Sequence, residues 1–470
     1  MNLEINKSIL TASLAVINPA TGAVIANLPT ATNGDVESAI SAAQIGLKKG
    51  RRMSRARRAE ILLETAKLVN ENAEDFAQTI VRESGKTIRQ AAKEVMRCVN
   101  TLTLSAEEAK RLTGEIIPFD SFAGSENRHG YFTREPLGII LAITPFNDPL
   151  NLIAHKLGPA LAGGNSVILK PSALTPLSAI KLAECFYEAG LPREMLTVVI
   201  GGSQIGDALV RRNEIRMVSF TGGSNTGETI SHAAGLKRTA MDLGGNAPVI
   251  ILSDCEIELA VSSCVSGAFW AAGQNCVGVQ RIFVHQEIYE KFLKMFVAET
   301  KKLRCGDPMD QATDVGPMIT ETEAIRIEQW VNEAIASGAT AMCGHNRTGA
   351  FYAPTILVNV DPGSKINCEE VFAPVVLISG FSDLDEVILD ADKPEFALHA
   401  AVFSNDISNI QKVIDGLDVG GIMVNDSSDY RFDGMPFGGS KRGSMGREGV
   451  KFALEEMTQT KVVCYNHSSS

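Results

Sequence analysis

One cysteine in this chain lies in a sequence environment that favours reactivity. Cys276 is in a short polar loop with Gly273 and Gly278, between a helical pattern that ends at Gly273 and a strand-like run over 279–284. Far upstream, Asn147 follows another strand-like run. A thiol can attack a carbonyl carbon, and a side-chain amide can donate a hydrogen bond to the oxyanion that results. The pair predicts covalent chemistry on a carbonyl substrate.

The bulk composition is that of a globular protein with more than one domain. The chain has 470 residues, 45% of them hydrophobic, and a formal net charge of -11. This length predicts two or three domains. An acidic chain is a poor match to nucleic acid or an anionic membrane, so neither is expected as a partner.

The cysteines and the apolar segments indicate the compartment. Nine cysteines without C-x-x-C spacing favour reduced thiols over a disulfide framework, and no metal site is expected. No secretory signal is visible over residues 1–7, and no window is apolar enough to span a membrane. The expected location is the cytoplasm.

The pattern along the chain predicts an α/β fold. Residues 35–114 are mostly helical by pattern, with one run capped by Ser54 and ending near Gly85, and residues 117–136 form a β excursion. From 138, apolar strands alternate with helices, which is typical of a parallel sheet covered on both faces. A second α/β series begins at 247, and the run 253–256 is predicted to form a capping box for its first helix.

Two features of the first series indicate nucleotide binding. Lys170 ends a buried strand, where a cation can bind ribose hydroxyls, although a surface lysine is the alternative. The segment 219–227, which contains Phe220-Thr221-Gly222-Gly223, places a glycine turn between a strand and a helix. Such a turn leaves backbone N–H groups free to bind pyrophosphate.

Eight motifs in this order and spacing resemble the aldehyde dehydrogenase superfamily, over about residues 15–465. They are Asn147, Lys170, Phe220-Thr221-Gly222, Leu243-Gly244-Gly245, Gly273-Gln274-x-Cys276, Glu370-x-Phe372-x-Pro374, Asn425 and Pro436-Phe437-Gly438-Gly439. The resemblance implies a Rossmann-like cofactor domain, a second α/β catalytic domain and a β flap for oligomerisation. It divides the chain into 1–116 and 137–244 for the cofactor, 245–443 for catalysis, and 117–136 and 444–470 for oligomerisation.

The resemblance also implies the catalytic roles. Cys276 would attack an aldehyde to give a thiohemiacetal, with Asn147 holding its oxyanion. Hydride transfer to NAD or NADP would leave a thioester, which water activated by a carboxylate would hydrolyse to the acid. Asp242 stands at the position of the usual general base, and Glu448, linked to Lys156, matches a second carboxylate. The alternative for Glu448 is a helix-start carboxylate.

The resemblance implies more residues for the cofactor site than for catalysis. Glu370 would bind the nicotinamide ribose with Phe372 against the ring, and Lys170 would bind the adenosine ribose. The full set of cofactor-binding positions is Thr144, Pro145, Phe146, Lys170, Ser172, Ala173, Phe220, Thr221, Gly222, Gly223, Leu243, Gly244, Glu370 and Phe372.

Three departures from the usual family pattern involve four positions. Asp242 replaces a glutamate and is one methylene shorter, so Glu448 is a candidate to share its work. Ala173 replaces a glutamate that is often present in relatives preferring NAD, so both NAD and NADP should be accepted. Gly223 and Ala373 replace a serine and a glycine, which are small changes.

The predicted substrate site is polar. Its candidate residues are Asp148, Asn151, His155, Arg97, Asn275 and Arg431. Arg431, in a loop that matches the tunnel mouth, is the better anchor for an anion. Arg97 has a salt bridge as its alternative role, and His155 a place in the core. The pattern favours a short semialdehyde-like substrate with an anionic or hydroxylated tail.

Three functions remain open from the sequence. The first is NAD(P)-dependent oxidation of a small polar aldehyde to its acid. The second is CoA acylation, in which a thiol takes the place of water, and the third is an inactive structural or binding protein on this fold. Assembly into a homodimer or a dimer of dimers is expected, since the two segments outside the α/β series would otherwise expose strand edges.

Overall fold

The structure is a computed structural model that describes residues 13–467. The expectations about the first residues and the last three therefore lie outside the described residues. The strands are β1 (Ser13–Ile17), β2 (Val24–Pro29), β3 (Glu115–Ile117), β4 (Arg128–Pro136), β5 (Ile139–Ile143), β6 (Ser166–Lys170), β7 (Leu196–Val198), β8 (Ile215–Thr221), β9 (Arg238–Asp242), β10 (Ala247–Ile251), β11 (Val279–His285), β12 (Thr340–Cys343), β13 (Arg347–Thr348), β14 (Phe351–Tyr352), β15 (Thr355–Val358), β16 (Val375–Phe381), β17 (Phe396–Ala397), β18 (His399–Phe403), β19 (Gly421–Val424), β20 (Ser440–Lys441), β21 (Ser444–Met445) and β22 (Thr458–Asn466).

The helices alternate with these strands. They are α1 (Asn33–Arg52), α2 (Arg55–Glu71), α3 (Ala73–Ser84), α4 (Ile88–Arg111), α5 (Asn151–Ala162), α6 (Leu177–Glu188), α7 (Ser203–Val210), α8 (Ser224–Ala234), α9 (Ile257–Phe269), α10 (Tyr289–Thr300), α11 (Glu321–Ala336), α12 (Lys365–Cys368), α13 (Leu384–Asp392), α14 (Ile407–Gly416) and α15 (Val450–Glu456). No helix within the described part of the chain is long and apolar enough to cross a membrane.

The first α/β series forms a six-stranded sheet in the order β21-β9-β8-β5-β6-β7. Its strands are parallel except for β21, which runs antiparallel to β9. In register, Ile143 lies beside Lys170 and Phe220, and Thr221 lies beside Asp242. The carboxyl ends of these strands therefore meet at one edge, where a parallel sheet places its ligands.

The second series forms a seven-stranded sheet in the order β12-β15-β16-β11-β10-β18-β19. Strands β10, β11 and β16 are parallel neighbours. The loop that carries Cys276 precedes β11, and the segment 370–374 precedes β16. Because the amino ends of neighbouring parallel strands lie at the same edge, this topology brings Cys276 and Glu370 together.

Helix α5 connects the first sheet to the site. All twelve of its residues are buried, and it packs against α4 and α15. A helix buried on every side carries polar groups only where they have partners. Three such side chains, Asn151, His155 and Lys156, project from α5, and each has a hydrogen-bond partner.

The third sheet joins the two segments that lie outside the α/β series and for which a role in oligomerisation is expected. The strand β22 pairs antiparallel with β4 along its whole length, from Thr458 beside Pro136 to Asn466 beside Arg128, and β3 pairs with the other side of β4. Ser444–Met445 joins the cofactor sheet instead, so residues 444–470 are not one structural unit.

Two local expectations are wrong. The run 253–256 does not cap α9: the helix begins at Ile257 without a side-chain cap, and Asp254 instead accepts hydrogen bonds from Ser404 and Asn405. The helical run expected from Ser54 to Gly85 is two helices, because the chain breaks at Asn72, whose φ of -103° and ψ of 23° are not helical.

Candidate active site

The loop around Cys276 is held in place by contacts of its backbone, none of which uses the Cys276 side chain. A tight turn over 270–273 gives Ala271 and Ala272 positive φ angles of 52° and 55°. After the turn, Gly278 N–H donates to the Asn275 carbonyl over 3.0 Å. The Cys276 carbonyl lies so close to Gly245 that a Cβ there would approach its oxygen to 2.1 Å. Only glycine allows this approach.

Gln274 anchors the same loop to the rest of the domain. It is buried, its Oε1 accepts from Ile319 N–H over 2.9 Å, and its Nε2 donates to the Ala271 carbonyl over 3.0 Å. Its own carbonyl accepts from Asn147 Nδ2 over 3.1 Å. The amide of Asn147 therefore lies on the Cys276 loop, where it can turn toward an oxyanion formed at the thiol.

The Cys276 thiol lies deep in the protein although part of the residue is exposed. It packs against the cluster formed by Val277, Leu398 and Phe437. Burial raises the pKa of the Cys276 thiol, and the Arg431 charge acts in the opposite direction. The resting residue is therefore a thiol, which must lose its proton as it attacks.

Two carboxyl groups lie side by side near the thiol. Glu448 accepts from Lys156 Nζ over 3.0 Å and from Thr221 Oγ1 over 3.3 Å. Asp242 is within hydrogen-bonding reach of Glu448, and Ser444 Oγ lies 3.5 Å from it. All of these groups are buried, with no more than 9% of the surface of any of these residues exposed.

The two carboxyl groups titrate in opposite directions. Burial and the neighbouring Glu448 charge raise the pKa of Asp242 well above its usual range. Burial opposes ionisation of Glu448 as well, but the cations of Lys156 and Arg431 outweigh it and hold the pKa of Glu448 well below its usual range. Like charges in contact cannot both ionise readily, so the pair holds one proton, and Asp242 carries it.

Arg431 differs from its expected place at an open tunnel mouth. Its side chain is only 8% exposed, and its Nη2 donates to Glu448 Oε2 over 2.9 Å. The guanidinium lies 3.8 Å from the centre of the Phe437 ring, a cation–π contact. The chain folds Arg431 inward because the buried Glu448 needs a second cation.

Asp433 is the centre of a second buried network. Its Oδ1 accepts from Arg97 Nη2 over 2.9 Å and from Asn151 Nδ2 over 3.2 Å, and lies 3.1 Å from His155 Nε2. Burial and the nearby Arg431 lower the pKa of His155, so the ring is neutral. We assign its proton to Nε2, because the carboxylate of Asp433 is an acceptor only.

The salt bridge weighed for Arg97 is present. Arg97 Nη1 donates to Asp148 Oδ2 over 3.3 Å, and Lys86 bridges Asp148 and Glu94. Arg97 keeps 33% of its side-chain surface exposed and Asp148 20%. The accessible part of the network is therefore this pair of opposite charges.

The expected cofactor region contains a cleft of suitable chemistry. A cavity of about 470 Å³ lies at the carboxyl ends of β5, β6 and β8, between α7 and α8, and Lys170 and Phe220 line it. Nearby, the hydroxyl of Thr144 is buried without a partner among the described residues. At Gly223, which precedes α8, an added Cβ would meet nothing within 4 Å. These features fit a dinucleotide whose phosphates lie at the helix start.

Glu370 and its neighbours are the residues expected to bind the nicotinamide end of the cofactor. Glu370 Oε1 accepts from Gly245 N–H over 3.0 Å, and burial raises the pKa of this carboxyl to about 7. Gly244, with a φ of 107°, has the Glu370 carboxyl against it. Phe372 packs edge-on to Phe146 with ring centres 5.8 Å apart.

Some expected site residues have other contacts here. Asn275 Oδ1 accepts from the Val277 N–H, and Ser172 Oγ accepts from the Leu174 N–H. Neither Ser172 nor Ala173 lines the cavity beside Lys170. The Leu243 side chain packs over Gly227 of α8, and the Gly222 N–H donates to the Asp242 carbonyl. Both residues therefore help to hold the strand ends and α8 in place.

Sequence reasoning missed three residues of the site. They are Asp433, Lys86 and Gln274 in its role as a loop anchor. Asp433 lies two residues after Arg431, and its burial could not be recognised because its partners are 278 to 336 residues away. Within residues 13–467, no group of three or more His, Cys, Asp or Glu side chains is placed to hold a metal ion.

Comparison with known proteins defines the class of protein. The model of the aldehyde dehydrogenase family matches residues 7–463. The chain belongs to this family, as the order of its motifs predicted.

Two relatives within the family are similar to this chain over nearly its whole length. The chain is 55% identical over 453 residues to aspartate-semialdehyde dehydrogenase 1 of Pseudomonas canavaninivorans, covering 96% of each protein. It is 44% identical over 454 residues to 3-sulfolactaldehyde dehydrogenase of Priestia aryabhattai, covering 96% of this chain and 95% of the relative.

Solved structures agree with the fold. Aldehyde dehydrogenase 21 of Physcomitrella patens, in complex with the reaction product succinate, matches with a TM-score of 0.95 and 35% identity, over 98% of this chain and 96% of that one. Glyceraldehyde-3-phosphate dehydrogenase of Methanocaldococcus jannaschii, complexed with NADP, matches with a TM-score of 0.94 and 38% identity, over 98% of this chain and 100% of that one.

Proposed function

We propose that this NAD(P)-dependent aldehyde dehydrogenase oxidises a small aldehyde with an anionic or otherwise polar tail to the carboxylic acid. The observation that carries the proposal is the arrangement around one thiol. Cys276 has an amide donor, Asn147, attached to its loop and a one-proton carboxyl pair, Asp242 and Glu448, close by. Two arginines, Arg97 and Arg431, belong to the adjoining charged networks.

The first half of the reaction forms a covalent bond to Cys276. Its sulfur attacks the aldehyde carbon, and the thiol proton passes to the free acceptor of the carboxyl pair. The Asn147 amide donates to the oxyanion of the thiohemiacetal, an interaction worth on the order of 10²–10³ in rate for one such donor. The bound dinucleotide, NAD or NADP, supplies the hydride acceptor that allows this adduct to become a thioester.

The second half hydrolyses the thioester. Water attacks the acyl carbon, the carbon–sulfur bond breaks, and Cys276 leaves as a thiolate that is then protonated. Before this step Glu448 releases the proton it took from the thiol to bulk water. Asp242 then accepts a proton of the attacking water as it passes its own proton to Glu448, and Glu448 gives that proton to the departing Cys276 thiolate. Lys156, which donates to Glu448 and contacts Ser219 Oγ over 3.2 Å, keeps Glu448 ready to receive the proton from Asp242. The shorter side chain of Asp242 is thus supplemented by its partner.

The cofactor would be held by residues of both domains. Lys170 lines the cavity that would accept the adenosine part, and the start of α8 after Gly223 would face the phosphates. Glu370 and Phe372 would orient the nicotinamide end against the Cys276 loop. The shared edge of β10, β11 and β16 supports this placement.

The substrate class follows from the charges and from the relatives' names. Relatives act on aspartate semialdehyde and 3-sulfolactaldehyde, and a structural neighbour holds succinate. All three compounds carry an acidic group. The charged side chains of Arg97, Asp148 and Asp433 lie in one hydrogen-bonded network beside the site, which supports a polar or charged tail.

A substrate panel tests the proposal. Aldehydes with carboxylate, sulfonate, hydroxyl or plain alkyl tails are compared by kcat/KM with NAD and with NADP, and the product is identified by mass spectrometry with and without CoA. We expect the free acid as product and at least tenfold higher kcat/KM for an acidic tail than for an alkyl tail of equal length. An acyl-CoA product, or no turnover of any aldehyde, would contradict the proposal.

A further inference from the structure

The guanidinium of Arg431 lies between two parts of the site that are otherwise separate. On one side it donates to Glu448 Oε2 over 2.9 Å. On the other, its Nη2 lies 3.4 Å from His155 Nε2, and His155 contacts the network of Asp433 and Arg97. Its face covers Phe437, a member of the cluster against which Cys276 packs. Arg431 thus contacts Glu448, the proton acceptor, and also His155 of the Asp433 network, beside which the substrate tail is proposed to bind.

Arg431 also has hydrogen-bonding capacity that the protein does not use. Its Nε is buried without a hydrogen-bond partner among the described residues, and the side chain is only 8% exposed. The Nδ1 of His155 is buried and unpartnered in the same way. Buried polar atoms normally have partners, so the Nε–H of Arg431 points to a ligand acceptor that satisfies it, whereas the unprotonated Nδ1 of His155 needs a donor instead. A donor at Nε calls for an acceptor, such as a carboxylate or sulfonate oxygen.

We propose that Arg431 is a positioning residue through which an anionic substrate tail activates Glu448. The inference rests on the proposed function and goes beyond it. Without substrate, Glu448 is the carboxylate to which the Arg431 guanidinium donates a hydrogen bond. When an anionic tail accepts a hydrogen bond from Nε, the guanidinium is shared between two anions, and Glu448 becomes a stronger base. Hydrolysis is thereby favoured for acyl groups that carry the anion.

The direction of this effect follows from the groups that face Glu448. From α5 these are Lys156 and the neutral His155, from β8 Thr221, from β9 the protonated Asp242, and from its own loop region Arg431. The cations Lys156 and Arg431 contribute most to the ionised form, and the hydrogen bond from Thr221 also favours it. An anion that shares one of these cations raises the pKa of Glu448.

The test compares two acyl groups of equal length on the same enzyme. The acyl-enzyme is formed from 4-oxobutanoate or from butanal in a single turnover, and its decay is followed by quenched flow and intact mass over a range of pH. The rate should fall in acid for both. We expect the midpoint of that fall to lie at a higher pH for the anionic acyl group.

Variants separate coupling from simple anchoring. In Arg431→Met the two midpoints should coincide, and Arg431→Lys should keep part of the difference. In Arg97→Met, which removes a cation that does not touch Glu448, the difference should remain even if substrate binding weakens. Equal midpoints in the unmodified enzyme, or an undiminished difference in Arg431→Met, would overturn the coupling. Absence of any acyl-enzyme would instead contradict the proposed function.

Discussion

At the scale of single residues, the reaction depends on one proton shared by Asp242 and Glu448. Both carboxyl groups are buried, and only Glu448 has cations in contact. A single acceptor must therefore act in two successive steps. A thiol with a raised pKa can react in this setting only because the acceptor is ionised when the substrate arrives.

Replacing Asp242 with asparagine tests the second of these steps. The amide cannot pass a proton from water to Glu448, so hydrolysis of the thioester should slow by on the order of 10²–10⁴, the usual contribution of a positioned acid–base group. The single-turnover burst of reduced cofactor should survive. A rapid-mixing trace that shows neither burst nor turnover would mean that Asp242 acts before hydride transfer.

Cofactor choice is a second property that one side chain should alter. Ala173 leaves the region near Lys170 without a carboxylate, so NAD and NADP should both serve. In Ala173→Glu, the new carboxylate should repel a 2′-phosphate if residue 173 faces the ribose, and two such charges about 6 Å apart repel by about 3 kcal/mol at an effective dielectric near 20. We expect KM for NADP to rise at least tenfold while KM for NAD changes little. The neutral control is Ala173→Gln, and equal effects of both variants would show that residue 173 does not face the ribose.

The site was predictable where a residue and its surroundings are local in sequence. Cys276 with its polar loop and Asn147 at a strand end are such cases, and the contact between Lys156 and Glu448 is present. The inward position of Arg431 was not predictable, because it depends on burial of Glu448 seventeen residues later. Asp433 was missed since none of its partners is near it in the chain.

At the scale of elements, Asp433 ties its loop to α4 and α5. Burial opposes its ionisation, but His155 and Arg97 outweigh burial and hold the pKa of Asp433 well below its usual range. A carboxyl with a lowered folded pKa adds stability above its unfolded pKa of about 3.9, and that contribution is lost as pH falls toward the folded value.

Asp433→Ala should therefore lower the free energy of unfolding by about 3 kcal/mol at pH 7, the lower end for a broken buried pair. Arg97 keeps a third of its surface, which moderates the cost. Urea unfolding at pH 7 and pH 3 measures the effect, which should shrink in acid. The exposed control, Asp415→Asn, should change stability by less than about 0.5 kcal/mol. An equal loss at both pH values would contradict the ionic explanation.

Elements followed from sequence where hydrophobic pattern decides them. The strands at 139–143 and 247–251 are continuous apolar runs, and the strand at 166–170 has three apolar residues between Ser166 and Lys170; all three form where expected. Capping was less predictable, since Asp254 has two competing donors from Ser404 and Asn405 that only the tertiary fold supplies. Such donors leave no local signal.

At the scale of the whole molecule, the three-stranded sheet presents an unpaired edge. The nine-residue strand β22 pairs only on its β4 side within the described chain. Val462 is 59% exposed, and Ile116 on β3 is 85% exposed. An exposed apolar edge strand is a template for pairing with another chain unless it is covered or blunted.

We therefore predict at least a dimer at micromolar concentration, measured by light scattering. Val462→Lys should weaken assembly by placing a charge on the edge strand, whereas Ile407→Lys, at an exposed apolar position on α14, should not. A monomer in the unmodified protein would contradict this expectation. Equal weakening by both variants would place the interface elsewhere.

The most direct test of the whole account is the site and nature of the covalent intermediate. Enzyme quenched during turnover of an acidic semialdehyde should carry one acyl group, with one equivalent of reduced cofactor formed, and hydroxylamine should remove it. Peptide mapping should place the group on Cys276, and Cys264→Ala should retain it while Cys276→Ala loses both adduct and turnover. An acyl group on another cysteine, or turnover that persists in Cys276→Ala, would contradict the account.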